Sequence, residues 1–266
     1  MSDRNTGPDS QTEGGRRLFH PLRPLGVARA LMKAGYGTRK QADQFVLEGR
    51  VRVDGQVVMD PGSMVGPEST IMLDGNPLVH QIPRYFLFHK PVGVVSTPGE
   101  RQGRRLVGSY LPRDVPGLAL VGRLDYRTSG LMLASNDRAW CRLLTGNPHL
   151  EQEYRIQLAG NLVEDQLDVL TAGVMLPKLG LFKPLRVTLV AAEKKTTDLI
   201  IVLGEGKARH IRRVFGTLHH KVMSLQRVRI GDVELGDLKP GAFRQMTGRE
   251  VEHARGMGRS PIPPDR

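Results

Sequence analysis

An acidic residue in a short polar loop is the first candidate for chemistry in this chain. Asp125 is the only acid between Gly122 and Gly130, and Arg123 and Arg127 flank it. Apolar stretches on both sides predict strands, and loops between rigid strands often carry catalytic groups. An ionised carboxylate at this position could act as a nucleophile. A salt-bridged turn without a catalytic role fits the same residues equally well.

Two more residues have side chains that could work with a carboxylate. Tyr154 lies in an alternating apolar segment, where a tyrosine packed in the core is the simpler interpretation. Arg212 lies in a segment with helical periodicity that also has an apolar stripe. Residues 205–230 contain seven Lys or Arg and a single acid, Glu205. This density of positive charge suits contact with an RNA backbone.

The elements that must position these residues are predicted to form one unit over residues 84–252. Strands are predicted at residues 85–89, 119–122, 131–135, 153–158, 185–190, 198–203 and 222–230, and helices at residues 137–144, 163–170 and 209–218. The regular strand–helix alternation of a parallel sheet is missing. We therefore expect an α+β domain with a mixed, largely antiparallel sheet and flanking helices.

A smaller α/β unit is predicted over residues 23–80. Apolar residues at helical spacing end at Gly35, and Thr38 is a suitable N-cap for a second helix. Alternation around Asp54-Gly55 predicts a hairpin, and residues 70–73 predict a further strand.

Positive charge is concentrated in the first half of the small unit. Residues 21–52 hold seven Lys or Arg and two acids, whereas residues 53–80 hold no Lys or Arg and four acids. The whole chain carries a net charge of +12, which favours a polyanionic partner. We define the basic face as Arg39, Lys40, Arg50 and Arg52 and predict that it binds RNA. An ordinary solvated surface is the alternative.

The remaining features bound the class of protein. Residues 1–22 and 253–266 are polar or rich in Gly and Pro, and we expect a disordered leader and a disordered tail. We expect a cytoplasmic protein, because no apolar run approaches the length of a membrane span and no signal core precedes the domains. The single cysteine, Cys141, excludes a disulfide framework and a cysteine-rich zinc site. We expect no metal and a monomer.

The small unit resembles the RNA-binding domain of ribosomal protein S-four. The resemblance rests on Thr38-Arg39-Lys40-Gln41-Ala42 at the start of the second helix and on Gly49-Arg50-Val51-Arg52-Val53-Asp54-Gly55 after it. The family's usual opening, Arg-Leu-Asp-Lys, is degraded here to Leu25-Gly26-Val27-Ala28.

The larger unit resembles the RsuA/RluB-type ribosomal RNA pseudouridine synthases. Four motifs occur in the family's order: His89-Lys90-Pro91-Val92-Gly93, Gly122-Arg123-Leu124-Asp125 with Thr128-Ser129-Gly130-Leu131, Glu151-Gln152-Glu153-Tyr154, and Glu205-Gly206-Lys207-Ala208-Arg209-His210-Ile211-Arg212-Arg213. The chain departs from the family at Gln152, where lysine is usual, at Lys207-Ala208, where Arg-Asn is usual, and at His210, where glutamine is usual.

The resemblance implies a role for each matched residue. Asp125 would be the nucleophile, Tyr154 would stack on the target base, and Arg212 would pair with the aspartate. Leu225 would line the substrate pocket. Cations beside the motifs would contact RNA, namely Arg123, Lys207, Arg209 and Arg213. The reaction is an isomerisation without redox chemistry, so no cofactor is expected.

The expected partner is ribosomal RNA or a pre-ribosomal particle. Thr128-Ser129-Gly130 is closer to the large-subunit enzymes, so 23S rRNA is the favoured substrate and 16S rRNA the alternative. A third possibility is an inactive RNA-binding assembly protein on the same fold. The presence of Asp125, Tyr154 and Arg212 argues against it.

Overall fold

The computed structural model describes residues 12–13, 16–97, 103–112, 114–145, 147, 149–204 and 208–257. The chain divides into two compact units. The first contains the described residues up to Arg84 together with residues 114–119 and 136–138, and the second contains the other described residues. The segments 114–119 and 136–138 were expected in the larger unit. No helix in the described part of the chain has both the length and the apolar character to cross a membrane.

The first unit consists of two helices and short antiparallel strands. Its elements are β1 (Thr12–Glu13), β2 (Arg16–Arg17), β3 (Leu25–Gly26), α1 (Val27–Ala34), α2 (Arg39–Leu47), β4 (Val51–Val53), β5 (Gln56–Val57), β6 (Met64–Val65), β7 (Ile71–Leu73) and β8 (Asn76–Pro77). Four strands form one sheet in the order β5-β4-β7-β8, and β3 and β6 form a separate pair. The apolar sides of both helices pack with this sheet in one core that includes Leu31, Val46 and Ile71.

Local sequence accounts for the boundaries of both helices. Gly35 adopts φ +95° after α1, a left-handed conformation that favours glycine and ends the helix. Thr38 caps α2: its hydroxyl accepts from the Gln41 amide at 3.2 Å, and the Gln41 side chain accepts from the Thr38 amide at 2.9 Å. This capping box satisfies two amides that have no partner within the helix. The predicted positions of the two helices are confirmed.

The ordered part of the first unit begins before residue 23. Phe19, expected in a disordered leader, is only 6% exposed, and its amide donates to the Leu78 carbonyl at 2.8 Å. Its ring contacts His80 with centroids 5.0 Å apart. The expectation of disorder is wrong for residues 16–22, because one apolar side chain in a polar stretch fills a place in the core.

The second unit is built around a nine-stranded sheet. Its elements are β9 (Tyr85–Lys90), a 3-10 turn (Val107–Ser109), β10 (Ala119–Val121), β11 (Ser129–Ser135), α3 (Arg138–Thr145), β12 (Gln152–Ala159), α4 (Glu164–Ala172), β13 (Val174–Leu176), β14 (Gly180–Phe182), β15 (Arg186–Ala192), β16 (Thr196–Leu203), α5 (Ala208–Thr217), β17 (Val222–Ile230), β18 (Val233–Glu234), β19 (Phe243–Gln245) and α6 (Gly248–Met257). Its main order is β15-β16-β12-β17-β11-β9-β19. Within this order only β11 and β17 run parallel. The predicted α+β class with a mixed, largely antiparallel sheet is confirmed.

The parallel pair at the centre of the sheet requires a glycine. Gly130 of β11 lies beside Arg227 of β17, and a Cβ atom at residue 130 would be 2.2 Å from the Arg227 carbonyl oxygen. Gly130 also has φ +113°, which other residues rarely adopt. The two strands can approach this closely only because residue 130 has no side chain.

The elements of the second unit that were not predicted are the 3-10 turn, the β13–β14 hairpin, β18, β19 and helix α6. The β13–β14 hairpin has strands of only three residues, too short to show a period. Helix α6 runs to Met257, although the domain was expected to end at residue 252 and the tail to start at residue 253. Its sequence is mostly polar, but Val251 and Ala254 are buried.

A prediction follows from the burial of Phe19. Phe19→Ala should lower the free energy of unfolding of the first unit by about 3–5 kcal/mol, because it leaves a cavity in the core. Leu22→Ala is the matched control, since Leu22 is 99% exposed. Urea denaturation of the full chain measures both. Equal, small effects of the two substitutions would show that Phe19 does not belong to the core.

Candidate active site

Backbone contacts hold the loop that carries Asp125. The hydroxyl of Ser96, a buried residue, donates to the Leu124 carbonyl at 2.6 Å and accepts from the Leu124 amide at 3.0 Å. The Gly93 amide donates to the Tyr126 carbonyl at 2.8 Å. Asp125 itself is half-buried, and its carbonyl accepts from the Thr128 amide at 3.0 Å. The segment after β9 therefore fixes the residues on both sides of Asp125.

Lys90 is a buried cation beneath the same loop. Its side chain has no exposure, and Nζ donates to the carbonyls of Thr128 at 2.7 Å and Pro91 at 2.9 Å. Burial lowers the pKa of the Lys90 ammonium to about 8, and the negative charge of Asp125 acts in the opposite direction. No role was predicted for Lys90 or Ser96. Lys90 belongs to the first matched motif, and Ser96 follows the motif's Gly93 by three residues.

Tyr154 lies on β12 and is completely buried. Its hydroxyl donates to the side-chain oxygen of Gln152 at 2.8 Å. Burial raises the pKa of the phenol, the nearby cation Arg227 lowers it, and the Asp125 charge raises it. A neutral phenol therefore lies within electrostatic range of the Asp125 carboxylate.

Arg212 of α5 reaches the loop from another direction. Its guanidinium donates to the Val222 carbonyl at 3.0 Å and to the Arg127 carbonyl at 2.8 Å. Burial lowers the pKa of Arg212, as does the charge of Arg127, whereas Asp125 raises it. The pairing of Arg212 with Asp125 that the resemblance implied stays a prediction, and Arg212 lies within electrostatic range of the carboxylate. It influences the carboxylate through its charge and holds the loop through the Arg127 carbonyl.

The other residues expected near the site differ in exposure. Leu225 is buried on β17, opposite Ile156 of β12. Arg123 and Arg213 are exposed. Lys207 and the side chain of Arg209 lie outside the described residues.

On the first unit, Arg50 differs from the rest of the basic face. Its guanidinium forms two hydrogen bonds with the Asp74 carboxylate, at 2.8 and 2.7 Å, and a third with Glu48 at 3.2 Å. It also stacks on the Phe45 ring at 4.4 Å from the centroid. Arg50 thus links the start of β4 to the turn after β7.

The other three residues of the basic face are exposed. Arg39 makes an ion pair with Asp43 one helical turn later, at 2.8 Å. Arg52 donates to the Gly55 carbonyl at 3.0 Å. Lys40 extends from the first turn of α2. Exposed ion pairs of this kind contribute little to stability, so these cations can exchange their partners for phosphates.

The second unit therefore holds a half-buried carboxylate close to a neutral phenol and to cations that are bound to backbone carbonyls. The charges of Lys90 and Arg212 interact with that of Asp125, and an ionised carboxylate is the form required of a nucleophile. Within the described part of the chain, no three His, Cys, Asp or Glu side chains are grouped so that they could hold a metal ion.

Burial of Lys90 predicts a specific pH dependence of stability. Its folded pKa of about 8 lies below the ordinary value of 10.5, so protonation opposes folding at neutral pH. As pH rises from 8 to 10.5, the free energy of unfolding of the wild type should increase relative to Lys90→Met, on the order of 3 kcal/mol. Chemical denaturation across this range is the measurement, with Lys239→Met, at an exposed lysine, as the control. A constant difference between wild type and Lys90→Met would contradict the shift.

Each of the two units is similar to a known protein family. A family model for RNA pseudouridylate synthase matches residues 84–217, and a model for the S4 domain matches residues 29–71. A crystal structure of a pseudouridylate synthase superposes with a TM-score of 0.60 at 25% identity, covering 86% of this chain and 99% of that one.

Curated relatives align over most of their own length. An uncharacterized RNA pseudouridine synthase of Aquifex aeolicus is 34% identical over 85% of this chain and 91% of the relative. Ribosomal large subunit pseudouridine synthase B of Bacillus subtilis is 30% identical (87% and 96%), and ribosomal small subunit pseudouridine synthase A of Escherichia coli is 31% identical (85% and 94%). From these matches and the geometry of its two units, the chain belongs to the RNA pseudouridylate synthase family and carries an S4 domain ahead of its catalytic domain.

Proposed function

We propose that this enzyme isomerises one specific uridine of 23S ribosomal RNA to pseudouridine, with Asp125 as its nucleophile. The observation that carries the proposal is the position of Asp125. It is half-buried, in a loop fixed by Ser96 and Lys90, within electrostatic range of Tyr154 and Arg212. Relatives of the same family act on ribosomal RNA according to their names, which supports this substrate class.

The reaction rearranges bonds within one nucleotide. The bond from N1 of uracil to the ribose breaks, the base rotates, and C5 forms a new bond to the same ribose carbon. N1 gains a proton, and C5 loses one. An ionised carboxylate can assist by adding to the base or by attacking the sugar, and either route brings Asp125 into covalent contact with the nucleotide. Electrons and atoms balance within the substrate and solvent, so the proposal requires no cofactor.

The target uridine must leave its stack to reach the buried residues of the site. On this proposal the flipped base stacks on the ring of Tyr154, which is fully buried and must become accessible when the base enters. Leu225 is an apolar neighbour on the adjacent strand. Stacking on an aromatic ring contributes roughly 1–3 kcal/mol per base. Arg212 keeps positive charge near Asp125 while it positions the loop.

The choice of 23S over 16S rRNA rests on a narrower observation. Thr128-Ser129-Gly130 resembles the large-subunit enzymes, and the Bacillus subtilis relative of that class aligns over 96% of its length. Relatives named small-subunit enzymes align almost as well, so 16S rRNA is the second candidate.

Mapping of pseudouridines in a deletion strain tests both the activity and the substrate. Carbodiimide treatment and primer extension should show one stop missing from 23S rRNA. The wild-type gene should restore this stop, and Asp125→Asn should not, because the amide is nearly isosteric but is not a nucleophile. Asp125→Asn protein should keep the wild-type melting temperature. A stop missing from 16S rRNA instead would transfer the proposal to the small subunit, and restoration by Asp125→Asn would refute the nucleophile.

We further propose that the S4 domain contacts phosphates of the substrate through Lys40, Arg52 and Arg39. Cations of the catalytic domain contribute to the same binding, namely Arg123, Lys207, Arg209 and Arg213. The exposure of Lys40, Arg52 and Arg39 supports the first part. Arg50 belongs to the same proposal, although it must exchange its exposed ion pairs with Asp74 and Glu48 to bind a phosphate.

A salt titration tests the contribution of the S4 domain. Lys40→Gln together with Arg52→Gln should reduce the slope of log affinity against log salt by about 0.7–0.9 for each phosphate that the protein no longer neutralises. Lys194→Gln together with Lys195→Gln removes the same charge at the turn between β15 and β16, at the opposite end of β12 from Gln152. This control should keep the wild-type slope. Equal slopes for all three proteins would show that Lys40 and Arg52 do not touch RNA.

A further inference from the structure

The side chains of Gln152, Tyr154 and Arg227, which lie on neighbouring strands, form a hydrogen-bond network. The oxygen of the Gln152 side chain accepts from the Tyr154 hydroxyl at 2.8 Å and from Nη1 of Arg227 at 2.8 Å. Arg227 also donates from Nε to the Leu131 carbonyl at 2.8 Å. Tyr154 of β12 and Arg227 of β17 are cross-strand partners.

We propose that Gln152 and Arg227 are positioning residues that fix the hydroxyl and the ring of Tyr154 for the reaction with uridine. This inference rests on the proposed function of the Asp125 site. It assigns a role to two residues for which the motif comparison implied none.

The available protons and lone pairs determine which group donates and which accepts in each hydrogen bond of the network. A phenol has one proton, and Tyr154 donates it to Gln152, so its oxygen can only accept a hydrogen bond from any other group. The Gln152 oxygen has two lone pairs, and both are occupied. The side-chain amide therefore cannot flip without breaking two partly buried hydrogen bonds, and the phenol has one preferred orientation. Free rotation of the hydroxyl is removed before substrate arrives.

Arg227 connects this network to the loop of the nucleophile. Leu131, whose carbonyl it binds, lies on β11, the strand that leaves the Asp125 loop. A single guanidinium thus links β11, the strand that follows Asp125, to Gln152 on β12, the strand that carries Tyr154. The absence of a side chain at Gly130 lets β11 and β17 approach closely enough for this contact.

One donor of Arg227 remains for a ligand. Arg227 is 3% exposed, and among the described residues no acceptor lies in full hydrogen-bond geometry to its Nη2 nitrogen, although the Tyr154 hydroxyl is close enough for the guanidinium to lower its pKa. A buried donor without a partner destabilises the fold, and more so when it is charged. An arginine with a purely structural role would be expected to have all its donors satisfied. An oxygen of the bound nucleotide, beside Tyr154, would satisfy this one.

Substitutions of Gln152 separate positioning from stability. Gln152→Glu keeps an acceptor for both donors, Gln152→Met keeps the volume without an acceptor, and Gln152→Lys replaces the acceptor with a donor. At saturating rRNA fragment, the single-turnover rate of tritium release from 5-tritiated uridine should stay within about threefold for Gln152→Glu. It should fall at least tenfold for Gln152→Met and Gln152→Lys, with RNA affinity unchanged, because about 1.4 kcal/mol in the barrier is a factor of ten.

Gln157→Met is the matched control, since it makes the same change on the same strand, at a residue that pairs with Ser224. It should retain the wild-type rate. Arg227→Lys should slow the reaction as Gln152→Met does, and the double variant should be no slower than the slower single one, because both act through Tyr154. A wild-type rate in Gln152→Met, or equal losses in Gln152→Met and Gln152→Glu, would overturn the inference.

A measurement without substrate keeps the inference separate from the proposed function. The ¹³Cζ resonance of Tyr154, in protein labelled at tyrosine, reports the hydrogen bond of its hydroxyl. It should shift in Gln152→Met and remain close to the wild type in Gln152→Glu and Gln157→Met. If this pattern appears but the wild type releases no tritium, the proposed function fails and the network stands. If the Tyr154 resonance does not change when Gln152 is substituted, the network itself is refuted, whether or not the protein releases tritium.

Discussion

An ammonium that is cut off from water must have hydrogen-bond acceptors, and Lys90 meets this requirement with the carbonyls of Pro91 and Thr128. The consequence is that the end of β9 and the loop of the nucleophile cannot move independently. Breaking either contact would expose a buried charge to an apolar environment without compensation, which is far more costly than the loss of an ordinary hydrogen bond. Ser96 adds a neutral link to the same loop, at Leu124. The position of Asp125 is thus set by a segment more than twenty-five residues earlier in the chain.

The cations of the site share one mode of contact. Lys90, Arg212 and Arg227 all donate to backbone carbonyls, at Thr128, Arg127 and Leu131 respectively. All three acceptors lie in the loop after Asp125 or at the start of β11. These side chains therefore do two things at once: they fix the backbone around the nucleophile, and they bring positive charge close to it. A substitution that keeps the charge but shortens the side chain would separate these two effects.

Sequence patterns predicted most of the fold and the identity of the candidate residues. They predicted few of the contacts that these residues make. Period and turn chemistry located most of the main strands, both helices of the S4 domain and the Asp54-Gly55 hairpin, whose two residues have φ +49° and +80°. The contacts of Arg212 with the Val222 and Arg127 carbonyls were not predicted, because the orientation of a guanidinium depends on which carbonyls surround it, and these come from distant segments. The roles of Lys90 and Gln152 were missed for the same reason. Burial of Phe19 depends on a place in the core that only the folded domain defines.

The place of β17 in the sheet has a consequence for the order of folding during synthesis. This strand lies between β12 and β11, and pairing Ser129 with Gln226 closes a loop of about 100 residues, a long-range contact that forms slowly. Until residues 222–230 leave the ribosome, β11 and β12 each lack their neighbour, and their open edges could pair with other chains. Asp125 and Tyr154 are made early but cannot be brought together by the sheet until then. The nascent chain is therefore without an assembled active site until β17 has been synthesised.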